Sequence, residues 1–477
     1  MNFLILINSA PGYKYFYFRL GKSLERSGHQ VRYAIDAARS RYIEPLPELD
    51  SSSKAIFFDE FFRGNYNEPL GEALFDVTWG DYFFSEFDRF FTHDFNLKRP
   101  KDYWVKVRYC LDRFFDKVLL QENIDCVIYE NVSNSYAFAA YQAAKRNGST
   151  YLGLIASRLP GRFEIQVSII DHQVDAIDKL ADGDFTHEDY AWLNDYREAI
   201  INVSPDYMKY NGLDKINLRR LLSLRKIKQA YRLIKSFWLA DYYYDYQFGN
   251  PLQVFRKGLL INIKRSISAR VSRRYFEKDT DVALFSEKES FYVYPMHFHP
   301  ESSTSVLAPL YTNELNNIIN ISNNLPFGEL LYVKDHLSAY GLQSPSFYRK
   351  VAAIPNVRLV SPFFNIKKLI LESKGVITIN STAGFESIVL GRPVYVLGRV
   401  FYERFPNVYR LSNFNDLRDT LGAQWQESAD KYIMAYYKYT LPGDVRISRA
   451  LESDNIFFDE LAVKLIDKAN IQHAGSA

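Results

Sequence analysis

Cysteine is almost missing from this chain: 477 residues hold two, Cys110 and Cys126. That excludes a disulfide framework and a cysteine-based zinc site, and a reducing cytoplasm is the compartment expected. No run of 18 apolar residues occurs, so no transmembrane helix is expected. The opening stretch MNFLILIN is apolar but short. It has no basic n-region and no small-residue cleavage site, and it reads as a first β-strand instead of a signal peptide. Charge of one sign is lacking too. Lys and Arg number 59 against 56 Asp and Glu, a net charge of +3, which argues against a dedicated nucleic-acid binder. There is no internal repeat and no low-complexity tract.

What is present in quantity is aromatic: 36 Tyr and 36 Phe. Aromatic faces stack on sugars and bases, although ordinary core packing accounts for them equally well. The length calls for two or more domains. Residues 3–7 read as a buried strand, 15–27 as an amphipathic helix ending at Gly28, and 29–35 as a second strand. This is a βαβ unit and implies a parallel sheet. A helix over 102–120, a strand over 125–129 ending in Glu130, a helix over 135–147 and a strand over 151–155 complete a first Rossmann-like lobe, 1–175. Residues 176–285 differ. Basic residues such as Arg219, Arg220, Arg225, Lys226, Lys264, Arg270 and Arg274 alternate with aromatic clusters such as Tyr242-Tyr243-Tyr244. They read as a mostly helical insert or linker, suited to an anionic membrane surface or an anionic acceptor, with solvated helix faces as the plainer alternative. From 286 to 442 strands and helices alternate again: strands at 291–295, 330–334, 357–360, 375–379 and 393–397, and helices at 305–324, 347–353, 366–373 and 383–390. This is the second Rossmann-like lobe. Residues 443–477 read as closing helices with a disordered Ala474-Gly475-Ser476-Ala477 tail. The fold class expected is α/β: two lobes with a cleft between them and a helical insert.

Four segments carry chemistry. In Asn380-Ser381-Thr382-Ala383-Gly384-Phe385-Glu386 a buried strand gives way to a helix. Ser381 or Thr382 can cap that helix, leaving N–H groups and the helix dipole for a phosphate. Ala383 and Gly384 allow close approach, and Glu386 is in reach of a ribose hydroxyl. An ordinary capped helix is the alternative. In His297-Phe298-His299-Pro300-Glu301 two histidines and an acid sit at a strand end. No neighbouring ligand set completes a metal sphere, so no metal is expected. The roles open are structural, donor-contacting and catalytic. Lys334-Asp335-His336 ends another strand. Lys334 and His336 suit a donor phosphate, with His336 titrating near its ordinary value of roughly 6.5 as a proton donor; a charged surface loop is the alternative. Glu130 is a lone carboxylate at a first-lobe strand end, suited to acid/base work across the cleft or merely to a helix dipole.

In this order, with Ile354-Pro355-Asn356-Val357-Arg358-Leu359-Val360-Ser361-Pro362 and Gly391-Arg392-Pro393-Val394 added, the motifs resemble the capsule polysaccharide biosynthesis family, which includes bacterial β-Kdo transferases. The resemblance covers about 285–410. It implies a GT-B fold, no obligatory metal or cofactor, and a CMP-Kdo or related CMP-ulosonate donor. By position it puts the phosphate on Ser381, Thr382 and His336 and the nucleoside on Ser361-Pro362-Phe363. It also gives Glu301 as a carboxylate nucleophile and Glu130 as acid/base. The sequence departs from the family in Leu337, where a proline is usual, and in Glu301, where the Kdo enzymes tend to carry Asp. A direct inverting attack with Glu130 or a histidine as base stays open. The expected partners are a nucleotide-sugar donor and an oligosaccharide or glycolipid acceptor of capsule or O-antigen, with peripheral inner-membrane contact through the insert. A UDP-, GDP- or dTDP-hexose donor, an epimerase and a silent scaffold are the alternatives.

Overall fold

The computed structural model describes residues 1–10, 12–68, 78–81, 100–203, 227, 231–232, 251–299, 302–422, 427–447 and 452–476. Glu301 and most of 204–250, with Arg219, Arg220, Arg225, Lys226 and the Tyr242–Tyr244 cluster, lie outside them.

The first lobe runs β1 (Asn2–Ile7), α1 (Tyr13–Arg26), β2 (Gln30–Ile35), β3 (Ala55–Phe57), α2 (Lys101–Gln121), β4 (Cys126–Glu130), α3 (Ser135–Arg146), β5 (Thr150–Ala156) and β6 (Arg162–Gln166). The five strands β3-β2-β1-β4-β5 are parallel, as continuous apolar runs covered on both faces should be, and β6 adds antiparallel to β5. Phe3 to Ile7 are fully buried, each contributing about 1.5–3 kcal/mol.

The chain then leaves this sheet. Helices α4 (Asp171–Ala181) and α5 (His187–Ala199) pack through Val174, Ile177 and Leu193 on elements of the second lobe. Helix α6 (Pro251–Ser272) also lies against the second lobe. The second lobe comprises β7 (Phe291–Pro295), α7 (Glu314–Asn324), β8 (Leu330–Lys334), α8 (Pro345–Ala352), β9 (Val357–Val360), α9 (Ile366–Glu372), β10 (Val376–Thr378), α10 (Thr382–Val389), β11 (Val394–Val396) and β12 (Val408–Arg410). All six strands are parallel, in the order β9-β8-β7-β10-β11-β12.

Helix α11 (Asp430–Tyr439) leads back to β13 (Leu441–Pro442), which pairs with β6 in the first sheet. Helix α12 (Asn455–Ser476) then buries Phe458, Leu461 and Leu465 in the first lobe's core.

Two expectations need correction. The helix expected over 305–324 is interrupted: a turn and a 3-10 segment at Pro309–Tyr311 precede α7. Proline has no N–H to give and its ring clashes with the preceding turn, and Asn313 restarts the helix by accepting from the Asn316 N–H at 3.1 Å. The C-terminal tail is not disordered through Ser476, because α12 carries helix that far on a buried face that includes Ala469.

Candidate active site between the lobes

Each sheet reverses its winding once. In the first the reversal falls between β1 and β4, in the second between β7 and β10. Loops leaving adjacent strands diverge at such a point and open a crevice at the strands' carboxyl ends. Glu130 ends β4, His297 and His299 follow β7, and Asn380-Ser381 follows β10. All the described sequence-predicted residues except those after β8 and β9 therefore belong to the two switch points, and β8 is the immediate neighbour of β7. The strand ends of the two lobes meet: Val306, from the loop after β7, packs on the first lobe's core.

In the first lobe Glu130 is held from two sides. Tyr13 Oη donates to its Oε2 at 2.6 Å and Ser133 Oγ to its Oε1 at 2.6 Å. Across the switch point, Asn8 Nδ2 donates to Tyr129 Oη at 2.6 Å. Ser9 gives both its N–H and its hydroxyl to Asp36, at 3.0 and 2.7 Å. The result is a half-buried, oriented carboxylate.

In the second lobe the two histidines converge on a residue that sequence reasoning missed, Glu314. The His297 N–H donates to Glu314 Oε1 at 3.0 Å, His299 Nε2 lies 3.1 Å from the same oxygen, and Tyr294 Oη donates to Oε2 at 2.7 Å. Burial pushes the Glu314 carboxyl up, but its contacts with His297 and His299 outweigh burial and hold it well below the ordinary range. Thr304 Oγ1 lies 3.3 Å from the other ring nitrogen of His299. His299, expected among the catalytic residues, is thus buried and bonded on both ring nitrogens. His297 points its Nε2 at the Asn380 N–H, 3.4 Å away. A visible signal for Glu314 did exist: it is the first residue after the Asn313 cap.

At the end of β8, Lys334 is buried and donates to the Pro362 carbonyl at 3.0 Å and the Asp335 carbonyl at 3.3 Å. Burial pushes its ammonium down to about 8 and pushes the Asp335 carboxyl up to about 6. Asp335 accepts from Tyr348 Oη and from the His336 N–H, both at 2.8 Å. His336 accepts the Ser338 N–H on Nδ1 at 3.1 Å, which leaves its hydrogen on Nε2. Burial first, then Lys334 and His297, push its ring down to about 3. The expectation that it titrates near 6.5 as a proton donor is corrected: at neutral pH it is a neutral imidazole that offers a hydrogen bond. Phe298 lies beside it with ring centroids 6.0 Å apart. The Ser361-Pro362-Phe363 loop follows β9, with Phe363 60 % exposed.

Ser381 occupies the N-cap of α10, yet its hydroxyl makes no bond into the helix. It instead receives a bond from Thr378 Oγ1 at 2.9 Å, and the Ser381 N–H donates to the same Thr378 oxygen at 3.1 Å. The first turn of α10 therefore has no side-chain cap. The space beside Gly384, expected to admit a ligand, is filled from within by the ring of Tyr402, whose hydroxyl donates to the Ser381 carbonyl at 2.6 Å. Glu386 is buried and paired with Lys367 at 3.3 Å. Burial raises its carboxyl against the pull of Lys367, Lys334 and Arg158. Arg158, from the loop after β5, also escaped sequence reasoning. It brings a first-lobe cation to the second-lobe loop between β10 and α10, close enough to act on Glu386 and Tyr402. Arg399 and Arg404, two cations otherwise suited to phosphate, are engaged elsewhere: Arg399 by Glu403 and Asp171, Arg404 by Asp175 and Asp178.

Two Rossmann-like lobes, each with a single switch point, are the GT-B arrangement. Residues 208–419 match the family model described as capsule polysaccharide biosynthesis protein. No curated protein matches the sequence. Among solved structures the chain is similar to KpsC of Thermosulfurimonas dismutans in two forms. One is the β-Kdo 2,7-transferase (11 % identity, 74 % of this chain and 89 % of that one, TM-score 0.34). The other is the β-Kdo 2,4-transferase (16 %, 69 % and 88 %, TM-score 0.36). It is also similar to the UDP-GlcNAc 2-epimerase of Neisseria meningitidis bound to UDP-GlcNAc (12 %, 99 % and 100 %, TM-score 0.29).

Proposed function

We propose that this chain is a glycosyltransferase of capsule or related surface-polysaccharide synthesis. It takes a sugar from a nucleotide-sugar donor, a CMP-ulosonate such as CMP-Kdo, and passes it to an oligosaccharide or glycolipid acceptor. The observation that carries the reading is the set of groups at the carboxyl ends of β8 and β10: the uncapped first turn of α10, the neutral His336 donor and the buried Lys334 cation. Backbone N–H groups and the helix dipole favour an anion there, and Lys334 adds charge from behind. Lys334, His336 and the first-lobe Arg158 are few cationic and N–H groups, and they suit a donor with a single phosphate better than a diphosphate. The nucleoside rests against Ser361-Pro362-Phe363, where the exposed Phe363 ring supplies a stacking face. Glu130, aimed by Tyr13 and Ser133, acts as acid/base from the first lobe, and Glu301 is the carboxylate proposed as nucleophile.

A thermal-shift panel of CMP, UDP, GDP and dTDP tests the donor, since a ligand that binds only the folded state raises the melting temperature. CMP alone is expected to do so, and His336→Ala or Ser381→Ala to diminish the shift. A shift with UDP, GDP or dTDP alone would move the donor to the hexose class. No shift with any of the four, with or without acceptor, would overturn the transferase reading.

A further inference from the structure

Helix α6 is built inside out. From Leu260 onward its inward face is polar or small apart from Ile261, which packs on the first lobe's core. Arg265 donates to the carbonyls of Tyr340 and Ser338 at 2.8 and 3.0 Å, and Ser268 donates to that of Gln343 at 2.5 Å. Ala269 and Ser272 are buried beside them. Gly341, at φ +80°, approaches so closely that any Cβ there would strike the helix backbone. The outward face is the apolar one. Leu260, Ile263, Ile267 and Val271 are 42, 40, 59 and 38 % exposed. At roughly 100° per residue they fall within an arc of about 80°. A helix on a water-facing surface has the opposite arrangement, so this face needs a partner.

Charge identifies the partner. Between 246 and 276 there is no Asp or Glu, while 251–274 carries seven Lys and Arg. Lys264, Arg270 and Arg274 are exposed and border the stripe, and none of them forms an ion pair among the described residues. A second copy of the chain would bring the same cations face to face. Residues 204–250, with nine Lys and Arg against four Asp, would repel them as well.

We propose that the outward face of α6 seats on an anionic phospholipid surface, the four aliphatic side chains entering the acyl boundary and the flanking cations meeting headgroup phosphates. Among the described residues no helix is long and apolar enough to cross a membrane, and α6 lies along the surface. This inference is independent of the donor reading.

Co-sedimentation of the full chain with phosphatidylcholine vesicles, with and without phosphatidylglycerol, tests it. The chain is expected to pellet with the anionic vesicles and to be released by salt. Ile263→Glu/Ile267→Glu and, separately, Lys264→Glu/Arg270→Glu should each lower partitioning by about tenfold or more, with melting temperature and nucleotide binding unchanged. Failure to pellet, or equal pelleting without phosphatidylglycerol, overturns the proposal. So does an isoleucine double variant that melts at lower temperature, which would show that the chain itself covers the stripe. A change in that variant's mass in solution would show a second copy there and would also overturn it.

Discussion

The ring of Tyr402 stands where a Cβ on Gly384 would have to be. The glycine at the start of α10 is thus an internal packing requirement: it lets a tyrosine reach under α10 and hold the Ser381 carbonyl. Gly384→Ala should cost about 1–3 kcal/mol of stability through overpacking, read as a lower midpoint in urea. Tyr402→Phe should cost about 1 kcal/mol for the lost bond to Ser381. Because the phenol oxygen is the nearest obstacle, the double variant should lose less than the sum of the two. Additive losses would show that the two residues do not share this space.

Glu314 gathers His297 and His299 around one buried carboxylate. Glu314→Ala should destabilise the fold by about 3 kcal/mol, as removing one partner from a buried polar cluster does. Donor affinity should also weaken, because His297 links this cluster to Asn380. A variant with wild-type melting temperature would show that the cluster has no structural role.

Lys334 sets opposite pH trends for stability and binding. Its folded value is about 8, below the ordinary lysine value of about 10.4. Below pH 8 the ammonium is charged in both folded and unfolded chains, and its burial opposes folding in full. As pH rises from 8 toward the ordinary value, the folded chain sheds its proton first and stability rises. Over the same interval the cation behind the proposed phosphate site is lost, so donor affinity should fall. Lys334→Met should flatten both curves, measured by denaturation and by calorimetric titration with the nucleotide.

His336 should show no titration between pH 5 and 8 in the ligand-free protein, since its folded value is about 3. An NMR titration of its ring protons checks this. A midpoint near 6.5 would restore it as an acid.

Glu130→Gln should lower kcat by roughly 10²–10⁴, the range for loss of a positioned acid/base, and leave nucleotide binding intact. Tyr13→Phe should have a smaller effect through misorientation of the carboxylate. Near-normal turnover in Glu130→Gln would place the acid/base elsewhere.

The lobes and their parallel sheets were legible because buried strands such as residues 3–7 and 291–295 are uninterrupted apolar runs followed by punctuation. The turn from β10 into α10 was legible for the same reason: a strand, small hydroxyl residues and a helix follow one another in sequence. What escaped notice depends on distance. Glu314 meets His299 across 15 positions, Arg158 reaches Glu386 from the other lobe, and Tyr402 fills the gap at Gly384 from 18 residues on. Strand β13 was hidden because two residues pairing with a partner hundreds of positions away leave no periodicity to read.

The return of β13 and α12 to the first lobe also fixes an order of events. The second lobe is an insertion in the first: Phe458 rests on Phe16, with ring centroids 5.5 Å apart, and Arg19 lies over the Phe458 ring. During synthesis the second lobe is complete before the helix that finishes the first has been made. Until then the nascent first lobe exposes the face of α1 that Phe458, Leu461 and Leu465 will cover, and this is the window in which a chaperone or a misfolding contact has access to it.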